Sequence, residues 1–161
     1  MKRGTQISGF LGWLAITFAA AALGAWASSS AATFYTTLAL PAWAPPAGVF
    51  GPVWTLLYAL MAVAAWRVWR ERGWRGAQPA LRLYLLQLAV NALWSWLFFG
   101  WKLGALAFAD ILLLIALVCA TIVRFARVSR IAAVMLLPYL AWIVFACALN
   151  YAVWRANPAL L

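Results

Sequence analysis

Five long apolar runs constrain this chain more than any other feature. They cover about residues 7–27, 48–69, 80–101, 104–123 and 131–154. Each is close to the roughly 20 residues that an α-helix needs to cross a bilayer. Only 9% of the residues are charged, whereas a soluble domain has roughly 25%, so lipid must cover much of the surface. The sequence therefore predicts one all-α integral membrane domain over residues 1–161, a bundle of five transmembrane helices.

The first apolar run also has features of a cleaved signal peptide. Lys2 and Arg3 precede it, and the small-residue segment 25–27 ends it. Its apolar stretch is, however, longer than the roughly 7–15 residues of a signal-peptide core. We therefore predict a retained first helix rather than a cleaved leader.

The basic residues are distributed unequally between the two sides of the predicted bundle. The net charge is +10, but the arginines occupy short loops between apolar runs, which positive-inside sorting explains without a nucleic-acid partner. With five spans, ten of the 12 lysines and arginines fall on the side of the N-terminus, and only Lys102 and Arg155 on the other. The prediction is a cytoplasmic N-terminus, an external proline-rich loop and multi-pass insertion in a bacterial cell membrane.

The sequence contains little material for acid–base or metal catalysis. Histidine is absent, which removes the usual general base and the commonest metal ligand. The two cysteines, Cys119 and Cys147, lie in apolar runs and are expected to be small buried residues. The two acids are Glu71 and Asp110. We predict neither a metal site nor a bound cofactor.

Asp110 is the one acid inside a predicted span. An acid at such a position is a functional hypothesis by default. It lies only a turn or two from the end of the span, however, so we favour contact with water or pairing with Lys102.

A proline-rich segment separates the first two helices. Residues 41–58 read PAWAPPAGVFGPVWTLLY and hold four of the seven prolines. Proline fixes φ and removes an N–H, so residues 41–46 should be stiff and extended, and a helix should begin near Gly48. Together with the uncharged polar loop 28–40 they form one long connection. Aromatic residues then recur on one helix face, at Phe50, Trp54 and Tyr58, followed by Met61. The pattern predicts a lid over an aromatic helix face; an aromatic belt at the membrane interface is the alternative.

The third predicted helix carries a stripe of polar residues. Gln87, Asn91 and Ser95 are spaced four residues apart, with Trp94 and Phe98 beside them. Amides in hydrocarbon are costly unless they are paired, so the stripe should face the bundle interior or a cavity. Hydrogen bonding between helices and contact with a ligand both remain open for Gln87 and Asn91.

Three fragments in this order resemble the TspO/translocator-protein family, the tryptophan-rich sensory proteins also called peripheral-type benzodiazepine receptors. The first is PAWAPP with Phe50 and VWTLLY (residues 41–58), the second is QLAVNALWSWLFFG (residues 87–100), and the third is PYLAW with LNYAVWR (residues 138–155). The resemblance extends over almost the whole chain, from about residue 9 to residue 157.

The resemblance implies a five-helix bundle, commonly a homodimer, that binds porphyrins, other tetrapyrroles, sterols and synthetic aromatic ligands under the first loop. The resemblance implies that the ligand-binding residues are Trp43, Phe50, Trp54, Asn91, Trp94 and Trp142. The aromatic and polar helix faces add Tyr58, Gln87 and Phe98. Near the C-terminus, Leu149, Tyr151 and Arg155 fit a weak sterol pattern. A helix end anchored at the membrane interface is the alternative for these three residues.

Three functions follow as hypotheses. The first is a membrane receptor or carrier that binds porphyrins, and possible sterol-like ligands, for transport or sensing. The second is an enzyme that degrades porphyrin with light and oxygen; it would have no acid–base catalytic residue, and Trp54 and Trp142 would exchange electrons with the excited macrocycle. The third is a structural or regulatory membrane protein without a specific ligand. Enzymatic activity is left open by the residues alone.

Overall fold

Six α-helices form the described part of the protein. The computed structural model describes residues 3–161, with side chains from residue 4, so Lys2 and its place in the charge count lie outside the described residues. The helices are α1 (Arg3–Ala27), α2 (Ala31–Thr37), α3 (Phe50–Ser95), α4 (Gly104–Ala126), α5 (Arg130–Met135) and α6 (Leu137–Ala156). A 3₁₀ turn (Ala47–Val49) precedes α3 and a π turn (Trp96–Gly100) follows it. Residues 3–161 contain no strand.

α3 is folded back on itself at Gly73. A straight helix of its 46 residues would be about 70 Å long. Instead, Gln87 Nε2 lies 3.9 Å from Met61 Sδ, although 26 residues separate them. Gly73 has φ 64° and ψ 179°, a region of backbone conformation that is essentially restricted to glycine. The two halves of α3, residues 50–72 and 74–95, are therefore separate long helical segments.

This turn corrects the predicted connection between the second and third helices. A basic loop was expected over roughly residues 70–79, but Gly73 alone leaves helical geometry there. Arginine and alanine are good helix formers, so the flanking residues extend both helices up to the glycine. Within residues 3–161, four segments are long and apolar enough to cross a membrane, and one of them, Ala47–Gly100, contains both halves of α3.

Two further boundaries differ from the predicted ones. The loop predicted at residues 28–40 contains the short helix α2, which buries Phe34. The fifth predicted helix, residues 131–154, in which Pro138 predicts a kink, is instead divided into α5 and α6 at Leu136, two residues before that proline. Pro138 lies in the first turn of α6; its missing N–H explains why an unbroken helix does not continue through this point.

The C-terminus holds the long first connection in place. The side-chain amide of Asn157 makes two hydrogen bonds with the backbone of Ala39: Ala39 N–H donates to Oδ1 at 2.8 Å, and Nδ2 donates to the Ala39 carbonyl at 3.0 Å. Asn157 is itself only 7% exposed. The segment that leads into the prolines is thereby fastened to the end of α6.

Asp110 and Cys119 differ from their expected environments. Asp110 is 7% exposed, and its Oδ2 has no hydrogen-bond partner among the described residues. Lys102, the expected partner, instead has its ammonium 4.8 Å from the ring centroid of Phe34. Cys119, which was expected to be buried, is exposed, whereas Cys147 is partly buried. An apolar run does not distinguish a lipid-facing position from an interior one, which explains the error at Cys119.

Replacing Gly73 tests the turn. Gly73→Ala should lower the free energy of unfolding by about 1–3 kcal/mol, because a Cβ is strained at this backbone conformation. Gly48→Ala is the control, since its Cβ would have no heavy atom within 4 Å and its φ is not positive. Unfolding of both variants in detergent measures the effect; equal stability of the two variants would contradict it.

Candidate ligand cavity

A cavity of about 580 Å³ lies in the bundle at the end covered by α2 and the 3₁₀ turn. Side chains from the last turns of α1, from α2, from both ends of α3 and from α6 form its walls. Ligand pockets in proteins commonly enclose about 300–1,000 Å³. The volume therefore suits a ligand of small-molecule size.

One wall is aromatic. Phe50, Trp54 and Tyr58 recur every fourth residue at the start of α3 and line the cavity together. The ring of Phe50 meets Trp142 of α6 edge-to-face at 5.9 Å and Tyr35 of α2 at 5.6 Å. Edge-to-face pairs are the favoured arrangement of aromatic rings. The wall thus joins three elements that are distant in sequence.

The opposite wall contains a stacked aromatic pair near the end of α3. Trp94 and Phe98 have ring centroids 5.2 Å apart and an interplanar angle of 14°. Trp94 Nε1 donates to Asn150 Oδ1 at 3.0 Å, and Asn150 Nδ2 donates to the Gly104 carbonyl at 3.3 Å. This chain of bonds fixes the indole plane through α6 and the start of α4.

A buried hydrogen-bond network lies beneath the aromatic walls. Asn91 Nδ2 donates to Tyr139 Oη at 2.8 Å, and Tyr139 Oη donates to Gln87 Oε1 at 3.0 Å. Gln87 Nε2 in turn points to Met61 Sδ. Both amides therefore join helices, while Asn91 also lines the cavity. Met61 is fully buried and is not part of the lining.

Trp142 brings an unpaired donor to the cavity. Its Nε1 is buried and has no hydrogen-bond partner among the described residues. A buried N–H without an acceptor costs free energy that a suitably placed ligand atom would recover. The Trp142 ring lines the cavity, but its Nε1 is shielded, so a ligand acceptor would reach the N–H only after the indole shifts.

The helix α2, which covers the cavity as a lid, is joined to the proline segment by a hydrogen bond from Tyr35. The Tyr35 hydroxyl donates to the Pro45 carbonyl at 3.0 Å. Partial burial raises the pKa of the Tyr35 hydroxyl above its usual value of 10.0. The group therefore stays protonated, and remains a donor, at neutral pH.

Most of the predicted ligand-binding residues meet at this cavity. The predicted residues that line it are Phe50, Trp54, Tyr58, Asn91, Trp94, Phe98 and Trp142. Trp43 and Gln87 do not line it. Trp43 is 51% exposed and packs edge-to-face on Phe145, behind Trp142. Gln87 lies one turn before Asn91 along α3, deeper in the bundle, where Tyr139 and Met61 occupy its amide.

The predicted sterol residues do not converge on one place. Leu149 lines the cavity, whereas Tyr151 is 49% exposed and packs against Phe108 with ring centroids 5.3 Å apart. Arg155 is exposed, with its guanidinium carbon 6.0 Å from the Trp154 ring centroid. This arrangement favours an interfacial anchor for Tyr151 and Arg155.

Several lining residues were not predicted from the sequence. They are contributed mainly by the end of α1 and by α2, and include Phe18, Ala21, Gly24, Ala32 and Tyr35. α1 approaches α3 closely at Gly24, where an added Cβ would lie 3.1 Å from Ser95 Oγ. This close approach explains why a small residue occupies that position of α1. A run of alanines carries a signal for close packing but none for a cavity. The described residues contain no group of three or more His, Cys, Asp or Glu side chains that could hold a metal ion.

The fold and the cavity together define a class: a helical, multi-pass integral membrane protein with an aromatic cavity under its first loop. A sequence profile of the TspO/MBR family matches residues 13–155. The chain belongs to the TspO/MBR family.

Named relatives cover most of the chain. The translocator protein of Homo sapiens is 44% identical over 126 residues, which are 77% of this chain and 75% of that protein. The tryptophan-rich protein TspO of Archaeoglobus fulgidus is 38% identical over 151 residues, 94% of this chain and 95% of that protein. The tryptophan-rich sensory protein of Cereibacter sphaeroides is 39% identical over 148 residues, 92% and 90% of the two chains. The similarity therefore includes relatives from bacteria, archaea and mammals.

The Tyr139 hydroxyl provides a test of the buried network. Tyr139→Phe should lower the free energy of unfolding by about 1–3 kcal/mol, because Gln87 Oε1 and Asn91 Nδ2 both lose their partner. Tyr151→Phe removes an exposed tyrosine hydroxyl from the same helix and should change stability by less than about 0.5 kcal/mol. Chemical unfolding in detergent compares the two variants, and equal losses would show that the network contributes nothing.

Proposed function

We propose that this protein is a membrane receptor or carrier that binds a porphyrin or another tetrapyrrole in the aromatic cavity, for transport or sensing. The observation that carries the proposal is the cavity of about 580 Å³ with aromatic rings on its walls, the Trp142 indole among them. A flat macrocycle stacks on aromatic faces, and its carboxylate side groups supply acceptors for a donor. Sterol-like ligands are a further proposed class. Their support is weaker, because Leu149 is the one residue of the sterol pattern that lines the cavity.

The shortage of side chains that could ligate iron favours a metal-free macrocycle. Histidine is absent from the sequence, and Met61 Sδ, a possible iron ligand, lies outside the cavity lining and faces Gln87. The proposed ligand is therefore held by stacking, by apolar contact and by hydrogen bonds from Trp142 and the polar edge at Asn91.

The proposed arrangement in the membrane has five spans and a cytoplasmic N-terminus. The fold-back at Gly73 supports two crossings by α3, because a segment of 54 residues is far longer than the roughly 20 residues of one span. The unequal distribution of lysine and arginine supports the orientation. The lid over the cavity then faces the non-cytoplasmic side. A homodimer is proposed from the family resemblance.

A light- and oxygen-dependent porphyrin-degrading enzyme is the second candidate. One observation favours it: Trp54 and Trp142, the two residues that would exchange electrons with an excited macrocycle, both line the cavity. Such chemistry requires contact between the indoles and the ligand but no acid or base.

Titration with protoporphyrin IX in the dark tests the proposed binding. The Soret band reports binding independently of the number of tryptophans. Trp54→Ala and Trp142→Ala should each weaken binding by about tenfold or more, since each removes a stacking face. Trp142→Phe keeps a ring and removes only the N–H, so it should weaken binding by about two- to tenfold.

The control is Trp101→Ala, which removes a tryptophan that is 54% exposed and outside the cavity. Its affinity should equal that of the wild type. Absence of saturable binding would leave the third hypothesis, a structural or regulatory protein. Repeating the titration under light with product analysis separates the other two: a protein-dependent tetrapyrrole product, lost in Trp54→Phe and Trp142→Phe, would identify the enzyme.

A further inference from the structure

We propose that Arg67 and Arg70 bind the phosphate of an anionic phospholipid where α3 approaches its turn at Gly73. Arg67 is 17 residues after Phe50 on the same helical segment, about 25 Å along the axis. The site therefore lies at the end of the bundle opposite the aromatic cavity, and it is independent of any porphyrin binding.

This end of the protein has a large excess of positive charge. Residues 67–82 contain five arginines and residues 124–130 contain three, while Glu71 is the one acid in these two segments. The C-terminal end of the first segment lies near the second, because Tyr84, two residues after Arg82, stacks on Phe125 with ring centroids 6.0 Å apart. Basic clusters at the ends of membrane helices attract anionic lipid headgroups.

Arg67 has an unsatisfied donor inside this cluster. It is partly buried, and its Nε is buried without a hydrogen-bond partner among the described residues. A guanidinium nitrogen that has lost water and gained no acceptor is unfavourable. Because Nε is shielded from the surface, a phosphate would bind at the outer Nη nitrogens, where a planar guanidinium can form two parallel hydrogen bonds, and its charge would offset the cost of the partly desolvated cation.

Arg70 is held by an aromatic contact with Trp66, the residue before Arg67. Its guanidinium carbon lies 4.6 Å from the Trp66 ring centroid. Trp66 is in turn fixed on α1, because its Nε1 donates to the Gln6 carbonyl at 3.1 Å and its ring meets Phe10 at 5.4 Å. Side chains three residues apart on a helix have Cβ atoms about 5–6 Å apart, so the two cations repel each other. An anion between them would remove this repulsion.

The surroundings favour a lipid over a free anion. Trp74 is 40% exposed and stacks on Trp13 at 6.4 Å, and tryptophans of this kind mark the headgroup level of a bilayer. Ile7 and Leu11, on the neighbouring face of α1, are 56% and 58% exposed. A phospholipid would place its phosphate at the arginines and its acyl chains along these apolar side chains.

The test uses the full-length protein in a neutral detergent, titrated with dioleoyl phosphatidylglycerol. The unfolding temperature is followed, because a ligand of the folded state raises it with concentration. Phosphatidylglycerol should stabilise the wild type and phosphatidylcholine should not. The Arg67→Gln, Arg70→Gln double variant should weaken the apparent affinity by about tenfold or more, since both phosphate contacts are lost.

The matched control is the Arg124→Gln, Arg130→Gln double variant, which removes the same charge from the same end at exposed positions. Its affinity for phosphatidylglycerol should fall by less than about threefold, because only the screened, long-range electrostatic attraction changes. Arg67→Lys keeps the charge but not the planar fork, and should weaken binding even if the double variant unfolds. Equal weakening by both double variants, equal stabilisation by phosphatidylcholine, or equal stabilisation by soluble glycerol 3-phosphate would overturn the proposal.

Discussion

The structure depends on one constraint above all: a polar group inside an apolar solvent must find its partner within the protein. The Tyr139 hydroxyl satisfies two amides of α3 at once, Gln87 and Asn91. On the other side of the bundle, Thr17 of α1 is hydrogen-bonded to Tyr84 at 2.6 Å. Because lipid gives apolar helices little reason to associate, such bonds between helices determine which faces meet. They hold the second half of α3 between α1 and α6.

The same bonds determine the shape of the cavity. Trp94 could take several orientations as an isolated side chain, but its bond to Asn150 fixes the plane on which a ligand would lie. Asn150 also donates a hydrogen bond to the backbone carbonyl of Gly104 at the start of α4. A cavity with walls fixed in this way is preformed, so binding would not have to order its side chains, a cost that otherwise reduces affinity.

The sequence predicted the features that depend on residue type and spacing. The apolar runs located the long helices, and the four-residue spacing of Phe50, Trp54 and Tyr58 placed them together on what proved to be a cavity wall. The turn at Gly73 was not predicted, because ten glycines occur in the chain and the need for a positive φ at one of them depends on how the helices pack. Tyr35 was missed for a similar reason, since its place depends on a short helix inside a polar loop.

Gln87 shows where periodicity stops being informative. It shares the stripe of Asn91, but a single helical turn separates a side chain that reaches the cavity from one whose amide is used by Tyr139 and Met61. Both residues have the same helical face and the same chemistry. Both amides bond to Tyr139, so the difference arises from depth in the bundle: Gln87 also meets Met61 of the other half of α3, whereas Asn91 lies one turn closer to the cavity and lines it.

Three buried polar atoms among the described residues have no partner: Arg67 Nε, Asp110 Oδ2 and Trp142 Nε1. Arg67 and Trp142 lie at opposite ends of the bundle, and their surroundings differ in charge. Around Trp142 the walls are aromatic and uncharged, which suits the flat ring system of a ligand that stacks. Around Arg67 the neighbours are arginines and interfacial tryptophans, which suits a phosphate. In the two proposals, the unequal distribution of charge along the bundle thus separates an uncharged end for a stacking ligand from a basic end for an anionic headgroup.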